Sequence, residues 1–274
     1  MDTNRFNQII VIDSIPVGEL NTAKRLVEDL ETYANAYSPS PAVQYVRIES
    51  GDEFIEQIFK CRKDVVERDI VPMLHIECHG YEDGFQFANG SLANWEELKL
   101  PITELNIATR LNLMIAVAAC TGGALAKILR MSDRAPFWGL IGPTKILSAS
   151  ELEKAYHSLY LTLLDTKSPE KAVKAMDIAT EPGTFWRTTA QGLFEKGWAR
   201  YKQEYCSAEA LEVRAKRMRE RLEKLSENSL PTVKELKQRL VNHEPKAFER
   251  FRATFFMCDL FPDHQTRFPL QYVP

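Results

Sequence analysis

The constraint that most narrows this fold is an alternation of textures in the first half of the chain. Short apolar, β-branched runs are separated by stretches with helical periodicity. Ile9–Ile15 is such a run and is closed by Pro16; Val17–Ala36 then places Leu20, Ala23, Leu26, Val27 and Leu30 on one helical face. Val43–Ile48 reads as a second strand after the turn Ser38–Pro41. Asp52–Arg68 reads as a helix with Phe54, Ile55, Ile58 and Phe59 inward. Ile70–Ile76, Leu111–Ala119 and Phe137–Ile141 read as further strands, with a helix over Gly123–Met131. Strand, helix, strand at this spacing implies βαβ units and a mostly parallel sheet covered on both faces. The expected class is α/β, a three-layer α/β/α arrangement with right-handed crossovers.

Between the third and fourth strands lies an insertion of another kind. Phe85–Phe87 alternates with polar residues, and Asn89-Gly90 predicts a tight hairpin. Asn94 to Glu97 is a capping pattern that starts a short helix, which Pro101 is expected to end. From Ser148 onward only helices are expected: Ser148–Leu164, Pro169–Ala179 and, after the Pro182-Gly183 break, Thr189–Tyr205. Leu211, Ala215, Met218, Leu222 and Leu225 then form a heptad-like seam. Ser229 and Pro231 close it, and Val233, Leu236 and Leu240 carry a second, shorter helix. The expected organisation is a domain over 1–195 and an all-helical extension over 196–274. Packing within the chain is the simplest use of the seam; oligomerisation or partner binding through helices 208–242 is the functional alternative.

Composition excludes several classes. A net charge of −3 argues against nucleic-acid binding. The longest apolar run, Leu113–Cys120, is far short of the ~20 residues of a membrane span. No leader-type cleavage pattern follows Met1–Asn7. Five cysteines without regular spacing fit reduced thiols and a cytoplasmic location. Phosphate-loop and dinucleotide fingerprints are absent, as is a Gly-x-Ser-x-Gly elbow.

Two apolar strands end in reactive residues. Strand three runs into His79-Gly80, and strand four into Cys120-Thr121-Gly122-Gly123. Ligands of open α/β sheets bind at the carboxyl ends of the strands. If these strands are neighbours, Cys120 is a thiol nucleophile and His79 its proton acceptor. A helix starting after Cys120 would favour the thiolate. The amides of Gly80 and Cys120 would form an oxyanion hole. Asp13, ending strand one, is a candidate for a pocket that takes a basic side chain, with Glu82 and Asp83 as further candidates; turn, cap or solvated-loop roles stand beside these. Phe185 and Trp186 either line the cleft or pack in the core. Cys78 should face the opposite side from His79 and pack.

His75, Glu77 and His79 share one side of a strand, a metal-like set. His75 and His79 would be ~13 Å apart on a straight strand, too far for one ion. No metal or cofactor is expected. Glu77 either orients His79 or faces the next strand.

The segments Leu74-His75-Ile76-Glu77-Cys78-His79-Gly80, Asn89-Gly90-Ser91-Leu92 with Trp95-Glu96-Glu97-Leu98, and Ala119-Cys120-Thr121-Gly122-Gly123 together resemble the caspase-like (clan CD) cysteine peptidases, most closely the bacterial CHAT subgroup. The resemblance spans roughly 8 to 195. It implies a caspase-like fold and a cofactor-free endopeptidase, with His79 as base and Cys120 as nucleophile. It also implies a protein substrate, often a dedicated partner protein encoded nearby, and roles in regulated proteolysis, cell death or antiviral defence. The acidic residue usual just after the cysteine is missing, since Thr121 and Gly122 stand there. An inactive caspase-like scaffold acting through protein–protein contacts is the alternative, and a flavodoxin-like ligand binder a third.

Overall fold

The computed structural model describes residues 5–34, 40–225 and 230–273. The residues of the expected turn at Ser38, of the helix end at Ala36 and of the stop at Ser229 lie outside these. The chain forms two compact units. The first draws on the stretch up to Arg130 and on Ala135–Ala190; the second on Met131–Arg134 and the chain from Gln191 onward. No described helix is long and apolar enough to cross a membrane.

The first unit is an α/β/α sandwich. Its strands and helices run β1 (Gln8–Asp13), α1 (Thr22–Ala34), β2 (Ala42–Arg47), α2 (Gly51–Arg68), β3 (Pro72–Glu77), β4 (His79–Tyr81), β5 (Gly84–Gln86), β6 (Leu92–Asn94), α3 (Trp95–Ala108), β7 (Met114–Ala118), a 3-10 helix (Gly122–Ile128), β8 (Gly139–Pro143), α4 (Ala149–Thr166), α5 (Pro169–Ala179) and β9 (Phe185–Thr189). The central sheet has the order β2-β1-β3-β7-β8-β9. All its pairs are parallel except β8 with β9.

This order explains the layers. The chain steps one way from β1 to β2, then the other way from β2 past β1 to β3, β7 and β8. Right-handed crossovers made in opposite directions fall on opposite faces. Ile9, Val11, Met73, Ala116 and Ala118 therefore pack under α1, α4 and α5, through Leu26, Leu30, Tyr156, Tyr160 and Met176. Their neighbours along the strands, Ile10, Ile12, Leu74, Ile115 and Val117, are as deeply buried on the other side. There α2 and α3 pack on each other.

The insertion is the expected hairpin, a small antiparallel sheet β4-β5-β6. Gly90 turns it with φ 85°. Phe85 and Phe87 close over Phe54 and Trp95 packs on Phe85, with ring centroids 5.1–6.4 Å apart.

Several expectations are corrected. Helix α3 runs through Pro101 to Ala108, because its capping box at Asn94 and its buried face outweigh one missing N–H. The stretch expected to be wholly helical contains β9, an edge strand whose pairing with β8 a local pattern does not show. The segment after Cys120 is a 3-10 helix, not an α-helix. Phe59 is exposed rather than inward.

The second unit is helical: α6 (Ala190–Tyr201) continuing as a π-helical stretch, then α7 (Ala208–Lys224), α8 (Val233–Phe255) and α9 (His264–Arg267). Its core is aromatic, with Phe194 against Phe248, Phe255 and Phe256, and Trp198 stacked on Tyr201. The heptad-like seam is only half used: Leu211 and Ala215 are buried, while Met218 and Leu225 are exposed. α8 is the longer partner of α7, not the shorter.

Candidate active site

The pairing of β3 with β7 aligns Glu77 with Ala118. His79 and Cys120 each follow their strand's paired residue by two positions, so both follow the carboxyl ends of neighbouring strands, His79 as the first residue of β4. Gly80 lies against the Cys120 peptide: a Cβ built on it would collide with the Cys120 carbonyl oxygen and sit 3.2 Å from the Cys120 nitrogen. Only a glycine allows this approach. The two peptide groups assigned to an oxyanion hole are thus adjacent.

Cys120 is half-buried. It occupies a tight turn closed by a hydrogen bond from the Gly122 amide to the Ala119 carbonyl, 2.9 Å. Thr121, next in the turn, has φ 56°, a left-handed conformation that costs a non-glycine residue free energy. Gly122 has no room for a side chain, because Val117 fills the space. The turn opens a 3-10 helix of seven residues rather than an α-helix, so the expected contribution of a helix dipole to the thiolate is not supplied.

His79 is half-exposed, and its Nε2 lies 3.1 Å from Glu19 Oε1. Glu19 was not among the residues singled out by sequence. It lies in the segment between β1 and α1, 60 positions from His79. The neighbouring of β1 and β3 brings the two segments together. That adjacency is the signal by which an acidic residue just after β1 could have been found.

Asp13 holds that segment in place. Its carboxylate is fully buried and accepts from the Ile15 amide (2.9 Å), Asn21 Nδ2 (2.9 Å) and Tyr45 OH (2.6 Å), with Arg47 at 3.1 Å. Burial raises the Tyr45 pKa, and the hydrogen bond donated to Asp13 raises it further. With four donors already engaged, Asp13 does not present a free carboxylate to a substrate.

Glu77 is engaged too, which settles its orientation. It accepts from Thr22 at the start of α1 and lies 3.0 Å from His75 Nε2. His75 is fully buried and its Nδ1 faces Tyr160 OH at 3.2 Å. His75 and Glu77 satisfy one another beneath the sheet edge, and His79 has left β3 for β4. Among the described residues, no three His, Cys, Asp or Glu side chains are grouped to hold a metal ion.

A cavity of about 720 Å³ opens beside Cys120, lined also by Gly80, Tyr81, Glu82, Pro143 and Trp186. Glu82 is at its wall, and its carbonyl accepts from Trp95 Nε1 (3.2 Å) and Lys127 Nζ (2.9 Å). Asp83 is solvent-exposed, 3.8 Å from Lys127. Phe185 is core and Trp186 is cleft wall, so the two aromatics divide the roles between them. Cys61 and Cys78 are buried, which pushes both thiols up, Cys61 to about 11. Burial also raises Cys206 and Cys258.

No family model and no curated protein matches the chain. Among solved structures, the chain is similar to caspase-1 from Spodoptera frugiperda. The match covers 69% of this chain and 88% of that one, with 12% identity and a TM-score of 0.48.

Proposed function

We propose that this chain is a caspase-like cysteine endopeptidase with His79 and Cys120 as its dyad. The observation that carries the reading is the β3–β7 register, which pairs the strands leading into His79 and Cys120, with Cys120 lining a cavity. In the proposed reaction the Cys120 sulfur attacks the scissile carbonyl carbon. His79 takes the thiol proton and passes it to the departing amine. The amides of Gly80 and Cys120 receive the developing oxyanion, a contribution of about 10²–10³ in rate per donor in such sites. Water then cleaves the acyl-enzyme, with His79 as base.

The finer assignments belong to the same proposal. The chain is a CHAT-type peptidase over 1–195 with a helical extension over 196–274. It acts in the cytoplasm on a dedicated protein partner, in regulated proteolysis such as cell death or antiviral defence. Helices 208–242 serve partner binding, a role favoured by the exposure of Met218 and Leu225 on the seam.

Cleavage sites are mapped proteome-wide with the wild type, Cys120→Ala and His79→Ala. Each variant is expected to keep its circular dichroism spectrum and to lose activity by about 10³-fold or more. Cleavage retained by both variants overturns the mechanism. The second reading, an inactive scaffold, is favoured by Thr121 and Gly122 standing where the resembled family carries an acidic residue. It requires that no cleavage depend on Cys120.

A further inference from the structure

We propose that the cavity beside Cys120 takes a large apolar side chain of an extended peptide, so that the substrate is cut next to a leucine- or phenylalanine-like residue. This deepens the peptidase reading and rests on it. At about 720 Å³ the cavity lies within the range of ligand-sized sites, ample for one bulky side chain and the backbone that bears it.

Its walls decide the chemistry. Tyr81, Pro143, Ile146 and Trp186 line it together with the small residues Ala124 and Ala126. Ile146 is 79% exposed, so a large aliphatic group stands open to solvent in the cavity that holds the candidate nucleophile. Trp186 is held on β9 opposite Gly142. Gly123 backs it closely: a Cβ added there would sit 3.3 Å from both the Trp186 Cβ and the Gly142 oxygen. The aromatic wall is therefore fixed by backbone packing.

Charged side chains find only solvent-exposed counterparts. A lysine or arginine needs a carboxylate in the wall. Asp13 is fully buried under four donors of its own, and among the residues lining the cavity only Glu82 is acidic. Glu82 itself is exposed to solvent. An acidic side chain needs a cation, and Lys127 is the one lining the cavity. Its ammonium already donates to the Glu82 carbonyl at 2.9 Å and lies 3.8 Å from Asp83. A charge moved from water into such a wall loses hydration and gains at most a solvent-screened partner, whereas an apolar group gains from burial.

The test uses peptidyl acyloxymethyl ketones that carry leucine, phenylalanine, arginine, lysine or aspartate next to the electrophile, on the full chain. The Cys120 sulfur forms a bond to the probe's methylene carbon, a carboxylate leaves with the electron pair of the broken C–O bond, and the thiol proton passes to solvent. Labelling rates at Cys120 are read by peptide mass spectrometry. The leucine and phenylalanine probes are expected to react at least about tenfold faster than the charged ones. Trp186→Ala is expected to reduce that preference, as is Ile146→Ser, a change at an exposed position that keeps the fold testable. Charged probes reacting as fast or faster overturn the specificity while the peptidase reading stands. Failure of every probe to single out Cys120 overturns both.

Discussion

The contact between His79 and Glu19 carries the most chemistry per atom in this site. A carboxylate on one ring nitrogen orients an imidazole and leaves the other nitrogen to meet a thiol. Both side chains are half-exposed, so the pair itself adds at most about 1 kcal/mol to stability and is screened by salt. On the peptidase reading, Glu19→Gln therefore leaves folding and KM unchanged and lowers kcat about three- to tenfold. On the same reading wild-type kcat is expected to decline with ionic strength, and the variant to lose that decline. Steady-state kinetics at low and high salt check both outcomes, and an unchanged kcat shows that Glu19 does not orient the base. His79, Gly80 and Cys120 could be proposed from sequence because they follow the ends of two largely apolar strands. Glu19 could not, because only the β1–β3 pairing brings it near. Asp13 was visible as a strand-end carboxylate, but its role as the tie for the segment carrying Glu19 depends on donors 2, 8, 32 and 34 residues away.

At the scale of elements, local rules succeeded wherever the stabilising contacts are themselves local. The Asn94 capping box is complete: the Asn94 side chain accepts from the amides of Glu96 and Glu97, and Glu97 accepts from the Asn94 amide. α3 starts where the motif places it. Its end was missed because Pro101 sits on a buried face whose packing sustains the helix past the break. β9 was missed for the converse reason: its five residues gain their order from hydrogen bonds to β8 rather than from their own pattern. The Asn94 cap also anchors the hairpin, since Trp95 donates from its indole to Glu82 at the cavity wall. Asn94→Ala is expected to cost about 1 kcal/mol by urea denaturation. A loss well below this would show that the hairpin, not the cap, holds the start of α3.

At the scale of the whole molecule, the order β2-β1-β3-β7-β8-β9 reverses direction between β1 and β3, and the carboxyl ends of strands at such a reversal are where open sheets place their sites. The class of this fold was readable from alternating textures; the reversal was not, because strand order is a long-range property. Packing the sheet on both faces also sets how the molecule responds to pH. Cys61 on α2 and Cys78 after β3 are buried as neutral thiols, and burial holds the Cys61 pKa at about 11 against an ordinary 9.0. The folded state therefore binds these protons more tightly than the unfolded state does. The Cys61 contribution is complete below about pH 9 and is lost as pH rises through about 11, because the unfolded chain ionises first; burial holds the Cys78 thiol higher still. The rise at Cys61 from 9.0 to about 11 corresponds to about 2–3 kcal/mol. Unfolding free energy measured in urea is thus expected to hold steady from pH 7.5 to 8.5 and to fall between pH 9 and 11. Cys61→Ala is expected to flatten part of that fall, and an equally steep decline in the variant would assign it to other groups, such as the buried phenols of Tyr156 and Tyr160, whose pKa values burial also raises.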